Sequence, residues 1–185
     1  MASVWKKRLV PMSDLMGLHE QLKDKGKKIV FTAGSWDLLH VGQCRYLEEA
    51  KARGDILVVG VSSNDAIRRV KGPNKPILDE KIRAEMLTYL RSVDFVTILP
   101  EPSCQPSLGL LKPDVFITVK EEWTDNYKES KEYKTVTKYG GEVIVVDRQS
   151  TALSTTKIVQ RAIGGELGSI FKDFMELRKD PLKER

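Results

Sequence analysis

Residues 27–50 read KKIVFTAGSWDLLHVGQCRYLEEA, and this stretch decides the fold. KIVFTA (28–33) is a short β-branched and aromatic run that reads as a strand buried on both faces. Gly34 then permits a tight turn and a close approach of a ligand to the backbone, and Asp37 can cap or orient that turn. From Leu39 to Arg53 the pattern is helical, closed by Gly54. His40 falls at the helix start, where backbone N–H groups and the helix dipole favour an anion. Gly42 is a poor helix residue but leaves room for a bulky group near the backbone.

The same alternation extends in both directions. Upstream, residues 13–25 form an amphipathic helix with Ser13 as cap, Leu15, Met16, Leu18 and Leu22 on one face, and Gly26 as stop. Downstream, further strands are expected at 55–63, 94–99, 114–119 and 142–147. Helices are expected from Asn64 or Asp65, over 79–91, around 104–111 and 126–138, and starting within 154–163. KGPNKP (71–76) is a basic loop. Apolar strands each followed by a helix predict an α/β, doubly wound (Rossmann-like), five-stranded parallel sheet with helices on both faces. Such sheets bind ligands at the carboxyl ends of their strands. No linker or repeat interrupts the 185 residues, so one domain is expected, with a helical tail over 168–185.

Composition sets aside several classes. Hydrophobic residues are 41% and charged residues 31%, as in a soluble protein with one core. The net charge is +5, a mild excess that suits a phosphate-bearing substrate but arises as readily from a mixed surface. There is no clustered basic stripe, so nucleic acid is not expected as a partner. The longest apolar run, Ile56 to Val61, is too short to cross a membrane, and MASVWKKRLVPMSD lacks a signal core. A cytoplasmic location is expected. Cys44 and Cys104 lack metal-site spacing, His19 and His40 are the only histidines, and no protein metal site is expected.

There is no GxxxxGK[ST] and no GxGxxG, so the two common phosphate-loop signatures are absent. A histidine at a helix start is ordinarily a cap or packing residue. The surrounding Gly-x-x-Asp-x-x-His-x-Gly pattern alters that balance. Phe31 to Gln43 (FTAGSWDLLHVGQ) resembles the first signature of the cytidylyltransferase-like nucleotidyltransferases, and Ser154-Thr155-Thr156-Lys157-Ile158 resembles the second. The likeness covers about residues 28–162, and two separated signatures in order make it specific. Within the family the chain looks most like the bacterial heptose-1-phosphate adenylyltransferases, then glycerol-3-phosphate cytidylyltransferase.

The resemblance implies an enzyme that moves a nucleotidyl group from a nucleoside triphosphate, ATP first and CTP next, to a sugar or polyol phosphate. Pyrophosphate would leave, with Mg²⁺ on the phosphates and no protein nucleophile. It implies catalytic roles for His40, Lys71, Arg83 and Gln43. It implies nucleotide binding by Thr32, Ala33, Gly34, Ser35, Asp37, Gly42, Arg148, Ser154, Thr155 and Thr156. Lys120, Glu122 and Trp123 would contact the acceptor, and the family is commonly dimeric. The spacing from Arg148 to Ser154 is one residue longer than the family's.

One position departs clearly. Gln43 stands where the family has its second histidine. An amide still donates a hydrogen bond but carries no charge, a difference of about 1–2 kcal/mol or roughly tenfold in rate. Two further readings stay open at this stage. One is a degenerate member that binds nucleotide without turnover. The other is an RNA-handling protein, disfavoured by length and by the lack of a KMSKS-like segment.

Overall fold

The structure, a computed structural model, describes residues 4–120, 126–147 and 154–178. They divide into two units, one within 1–150 and one within 151–185. The first unit is built on five parallel strands: β1 Ile29–Gly34, β2 Ile56–Ser62, β3 Phe95–Leu99, β4 Val115–Val119 and β5 Glu142–Val146. Their order is β3-β2-β1-β4-β5, with Phe31 beside Val58 on one side and Val30 beside Val115 on the other. Chain direction of winding reverses at β1 and β4, which is where such sheets open a crevice.

Helices of this unit are α1 Val4–Arg8, α2 Leu15–Asp24, α3 Val41–Lys51, α4 Asn64–Lys71, α5 Glu80–Thr88, α6 Gln105–Leu111 and α7 Lys131–Lys138. Because side chains alternate along a strand, each strand serves both layers. Val30, Val59 and Ile117 pack with Tyr46 and Leu47 of α3 and Leu87 of α5. Ile29, Phe31 and Phe116 pack with Leu18 of α2, Leu108 of α6 and Val136 of α7. Two buried faces explain why the strands read as unbroken apolar runs.

Several details differ from the sequence reading. The segment before α2 is a 3₁₀ turn over Met12–Asp14, and Ser13 bonds Asp14 rather than capping the helix. Met16 is exposed while Leu15, Leu18 and Leu22 are buried. The cap of α4 is Ser63, whose hydroxyl accepts from Ala66 N at 3.1 Å. On α5, Ile82 and Met86 face solvent and Arg83, Ala84, Leu87 and Thr88 face inward. Gly26, with φ +64°, does end α2 as expected.

The second unit is α8, Thr155–Arg178, one helix running through Gly164, Gly165 and Gly168. Residues 168–178 are helical and continuous with the rest of α8, on which Ile163, Leu167 and Ile170 are exposed.

Candidate active site

The turn after β1 is held in an unusual conformation by several independent bonds. Trp36 and Leu38 both have positive φ, at 52° and 46°, although neither is glycine. Such backbone persists only where the surroundings over-determine it. Trp36 is buried, its Nε1 donates to the Gly60 carbonyl at 2.9 Å, and its ring stacks on Tyr46 at 6.0 Å. Gly34 makes this possible, since a Cβ there would lie 3.2 Å from the indole. Asp37, also buried, accepts from Ile77 N at 2.9 Å and Leu78 N at 3.0 Å. One carboxylate therefore ties the turn after β1 to the loop between α4 and α5.

Arg83 reinforces the same junction. It is 1% exposed. Its Nε donates to Leu78 O at 2.9 Å, Nη2 to Asn64 Oδ1 at 2.9 Å, and Nη1 to the Ser35 carbonyl. Burial pushes its pKa down, opposed by the negative charges of Asp37, Glu80 and Asp79. The sequence reading aimed this side chain at phosphate. Its guanidinium is instead engaged with the walls of the site, so its positive charge sits behind the Ser35 turn.

Lys71, at the end of α4, is exposed and donates from Nζ to Ser35 Oγ at 2.9 Å. Two cations thus converge on Ser35, one through its hydroxyl and one through its carbonyl. Thr32 is placed differently, because its hydroxyl is buried at 2.7 Å from Tyr46 OH. Thr32 is 1% exposed and is not among the residues that line the cavity over the strand ends.

His40 is the N-cap of α3, with extended backbone (φ −136°, ψ 166°). Gln43 lies one turn in, and its side-chain oxygen accepts from His40 N at 3.0 Å. This is the return half of a capping box, the role a Glu or Gln takes at that position. The residue that departs from the family pattern thus fixes the backbone of the histidine that keeps to it. Gly42 is buried in the first turn of α3.

A cavity of about 720 Å³ opens over the carboxyl ends of β1 to β4. Gly34, Ser35, Ser62 and Thr118 line its strand side, and Ile67 and Lys71 of α4 form one wall. The opposite wall is Asn126 to Glu132, leading into α7. His40 is not among the lining residues; the Ser35 turn lies between the cavity and the start of α3 in the chain. Lys120 is exposed just past β4. Arg148, Glu122 and Trp123 lie outside the described residues.

In the second unit, Ser154 caps α8, its hydroxyl accepting from Lys157 N at 3.2 Å, and Ile158 N donates to Ser154 O at 2.9 Å. Thr155 and Thr156 therefore occupy the first turn, where amides and hydroxyls suit an anion. Missed by the sequence reading were Asn64, which braces Arg83 and donates to Asp79 at 2.7 Å, and Glu132 on the cavity wall. Asn64 carried only a cap signal, and Glu132 only that of a solvated helix face.

A family model described as cytidylyltransferase-like matches residues 31–161. The bifunctional protein HldE of Geobacter metallireducens is 40% identical over 158 residues, which is 84% of this chain and 31% of that protein. The bifunctional protein HldE of Helicobacter pylori strain HPAG1 is 44% identical over 110 residues, 60% of this chain and 23% of that protein. The chain thus spans less than a third of the length of these relatives. The crystal structure of a lipopolysaccharide core biosynthesis protein from Thermoplasma volcanium GSS1 superposes with TM-score 0.56 at 29% identity, covering 66% of this chain and 97% of that one.

Proposed function

Since the chain belongs to the cytidylyltransferase-like family, we propose that it transfers a nucleotidyl group from a nucleoside triphosphate to a small phosphorylated sugar or polyol. ATP is the favoured donor and CTP the next, with a heptose-1-phosphate-type acceptor. The observation that carries this reading is the convergence on Ser35, where Lys71 donates to the hydroxyl and Arg83 to the carbonyl beside the start of α3.

In the proposed reaction an oxygen of the acceptor phosphate attacks the α-phosphorus. A new phosphorus–oxygen bond forms, the bond between the α-phosphorus and the bridging oxygen breaks, and pyrophosphate leaves. Magnesium enters with the triphosphate as part of that substrate. No side chain becomes covalently attached, so the protein contributes positioning and charge. His40 and the start of α3 would hold triphosphate oxygens, with Gln43 fixing the backbone of His40. Lys71 would exchange its bond to Ser35 for one to phosphate. Within the second unit, the first turn of α8 with Ser154, Thr155 and Thr156 is by itself an element suited to phosphate oxygens. Asp37 and Arg83 would hold the turn in place throughout.

A second reading, a nucleotide sensor without turnover, has Gln43 in its favour, since that side chain is committed to capping α3. Pyrophosphate release separates the two. Purified protein with Mg²⁺ is assayed with ATP and CTP against hexose and heptose 1-phosphates and glycerol 3-phosphate. Release with one pair supports transfer; nucleotide binding with silence across the panel supports the sensor. A homodimer is also proposed, with the exposed Ile82 and Met86 of α5 and Tyr89 just past its end as a surface for it; light scattering gives the mass.

A further inference from the structure

The cavity over the sheet has walls of opposite charge. Lys71 stands on one side and Glu129 and Glu132 on the other. A phosphate is drawn to the lysine and repelled by the carboxylates, so the two walls address different parts of one occupant.

Glu132 is fixed in place, unlike a solvated helix residue. Its Oε1 accepts from Ser103 Oγ at 2.6 Å. Ser103 is itself anchored, its oxygen accepting from Gln105 N at 3.1 Å as α6 begins. The backbone beneath Glu132 is set by Ser130, which caps α7 by accepting from Tyr133 N at 3.1 Å. The side chain is half-buried, and one carboxylate oxygen remains to accept from a cavity occupant. Glu129 lines the same wall but is exposed.

We propose that Glu132 is a specificity-determining residue for the acceptor, accepting a hydrogen bond from a hydroxyl on the uncharged portion of a phosphorylated polyol while Lys71 takes the phosphate. It selects against acceptors that carry a second anionic group at that end. The inference rests on the cavity's being the acceptor site of the reaction proposed above.

The test is titration calorimetry on the full chain. The probes are inorganic phosphate, mannose 1-phosphate, glycerol 3-phosphate, glucose 1-phosphate, glucose 1,6-bisphosphate and phosphoethanolamine. In the wild type at least one polyol monophosphate binds more tightly than inorganic phosphate, and glucose 1-phosphate more tightly than its bisphosphate. E132A erases that advantage, weakening polyol binding about tenfold while leaving inorganic phosphate unchanged. E132Q falls between, and S103A loses part of the discrimination. Thermal melts establish that each variant is folded, and E132Q with S103A serve if E132A is not.

Three results overturn the proposal: no preference over inorganic phosphate, equal weakening of every probe by E132A, or phosphoethanolamine bound best. Pyrophosphate release run in parallel keeps the two claims apart. Glu132-dependent discrimination without release overturns nucleotidyl transfer alone. Release with an acceptor KM unmoved in E132A overturns the role of Glu132 alone.

Discussion

Arg83 donates to the backbone carbonyl of Ser35, so a buried guanidinium on α5 fixes the turn that follows β1. The same side chain holds Leu78 O and Asn64 Oδ1, and three elements meet on it. R83A should therefore destabilise the fold by about 2–4 kcal/mol, because three partly buried acceptors lose a charged donor. R83K should recover less than half, since an ammonium cannot span three directions with a planar fork. Urea unfolding gives both values.

Gln43 separates capping from charge. Q43A removes the acceptor for His40 N and should cost about 1 kcal/mol. Q43E keeps that acceptor and should melt within about 0.5 kcal/mol of the wild type. Its extra negative charge at the start of α3 should nonetheless weaken nucleotide binding roughly tenfold or more. In Q43H a chargeable donor is restored, and turnover should rise about tenfold. Melting, nucleotide titration and kcat together read all three.

Lys71 has the opposite profile to Arg83. It is exposed and bonds only a hydroxyl among the described residues, so K71A should leave stability within about 0.5 kcal/mol. Loss of a cation aimed at phosphate should lower kcat/KM about a hundredfold or more. A variant that melts normally yet turns over poorly would assign Lys71 to the substrate rather than to the fold.

Asp114 governs acid stability at the other end of the sheet. It accepts from Ile29 N at 2.7 Å and pairs with Lys23. Partial burial raises its pKa, but the bonds from Lys23 and Ile29 outweigh this and hold it below the usual 3.8. A depressed carboxylate stabilises the fold above that value, and the contribution disappears as pH falls through the lower folded pKa. D114A should lose about 1 kcal/mol at pH 7, a figure kept small by solvent exposure of the pair. The difference from the wild type should shrink as the pH is taken below 3.8 and through the lower folded pKa. Denaturant midpoints across that acid range and at pH 7 measure it.

How much of this was legible in the sequence follows from which forces are local. The five strands were readable because both faces are buried on the inner strands and partly covered on β5, which makes each an apolar run bounded by Gly, Pro or Asp. The turn after β1 and the start of α3 were readable from the Gly34–His40 pattern. The orientation of Arg83 was not, because nothing near residue 83 reveals that the carbonyl of Ser35 waits beneath α5. A helix over 79–91 was readable, but not that Ile82 and Met86 face solvent while Arg83, Ala84 and Thr88 turn to the interior. That α8 runs unbroken through Gly164, Gly165 and Gly168 was not legible, because each glycine disfavours a helix by about 1 kcal/mol without forbidding it. The function of Gln43 as a cap was hidden by its resemblance to a missing histidine.

The central claim is that the α-phosphorus is attacked and pyrophosphate leaves. The most direct measurement incubates the protein and Mg²⁺ with an acceptor phosphate and ATP, or CTP, labelled with ³²P at the α position. The account predicts that the label moves into a new, phosphatase-resistant product containing the acceptor, in step with unlabelled pyrophosphate. Label remaining in the triphosphate, or appearing only as free nucleoside mono- or diphosphate, would contradict it.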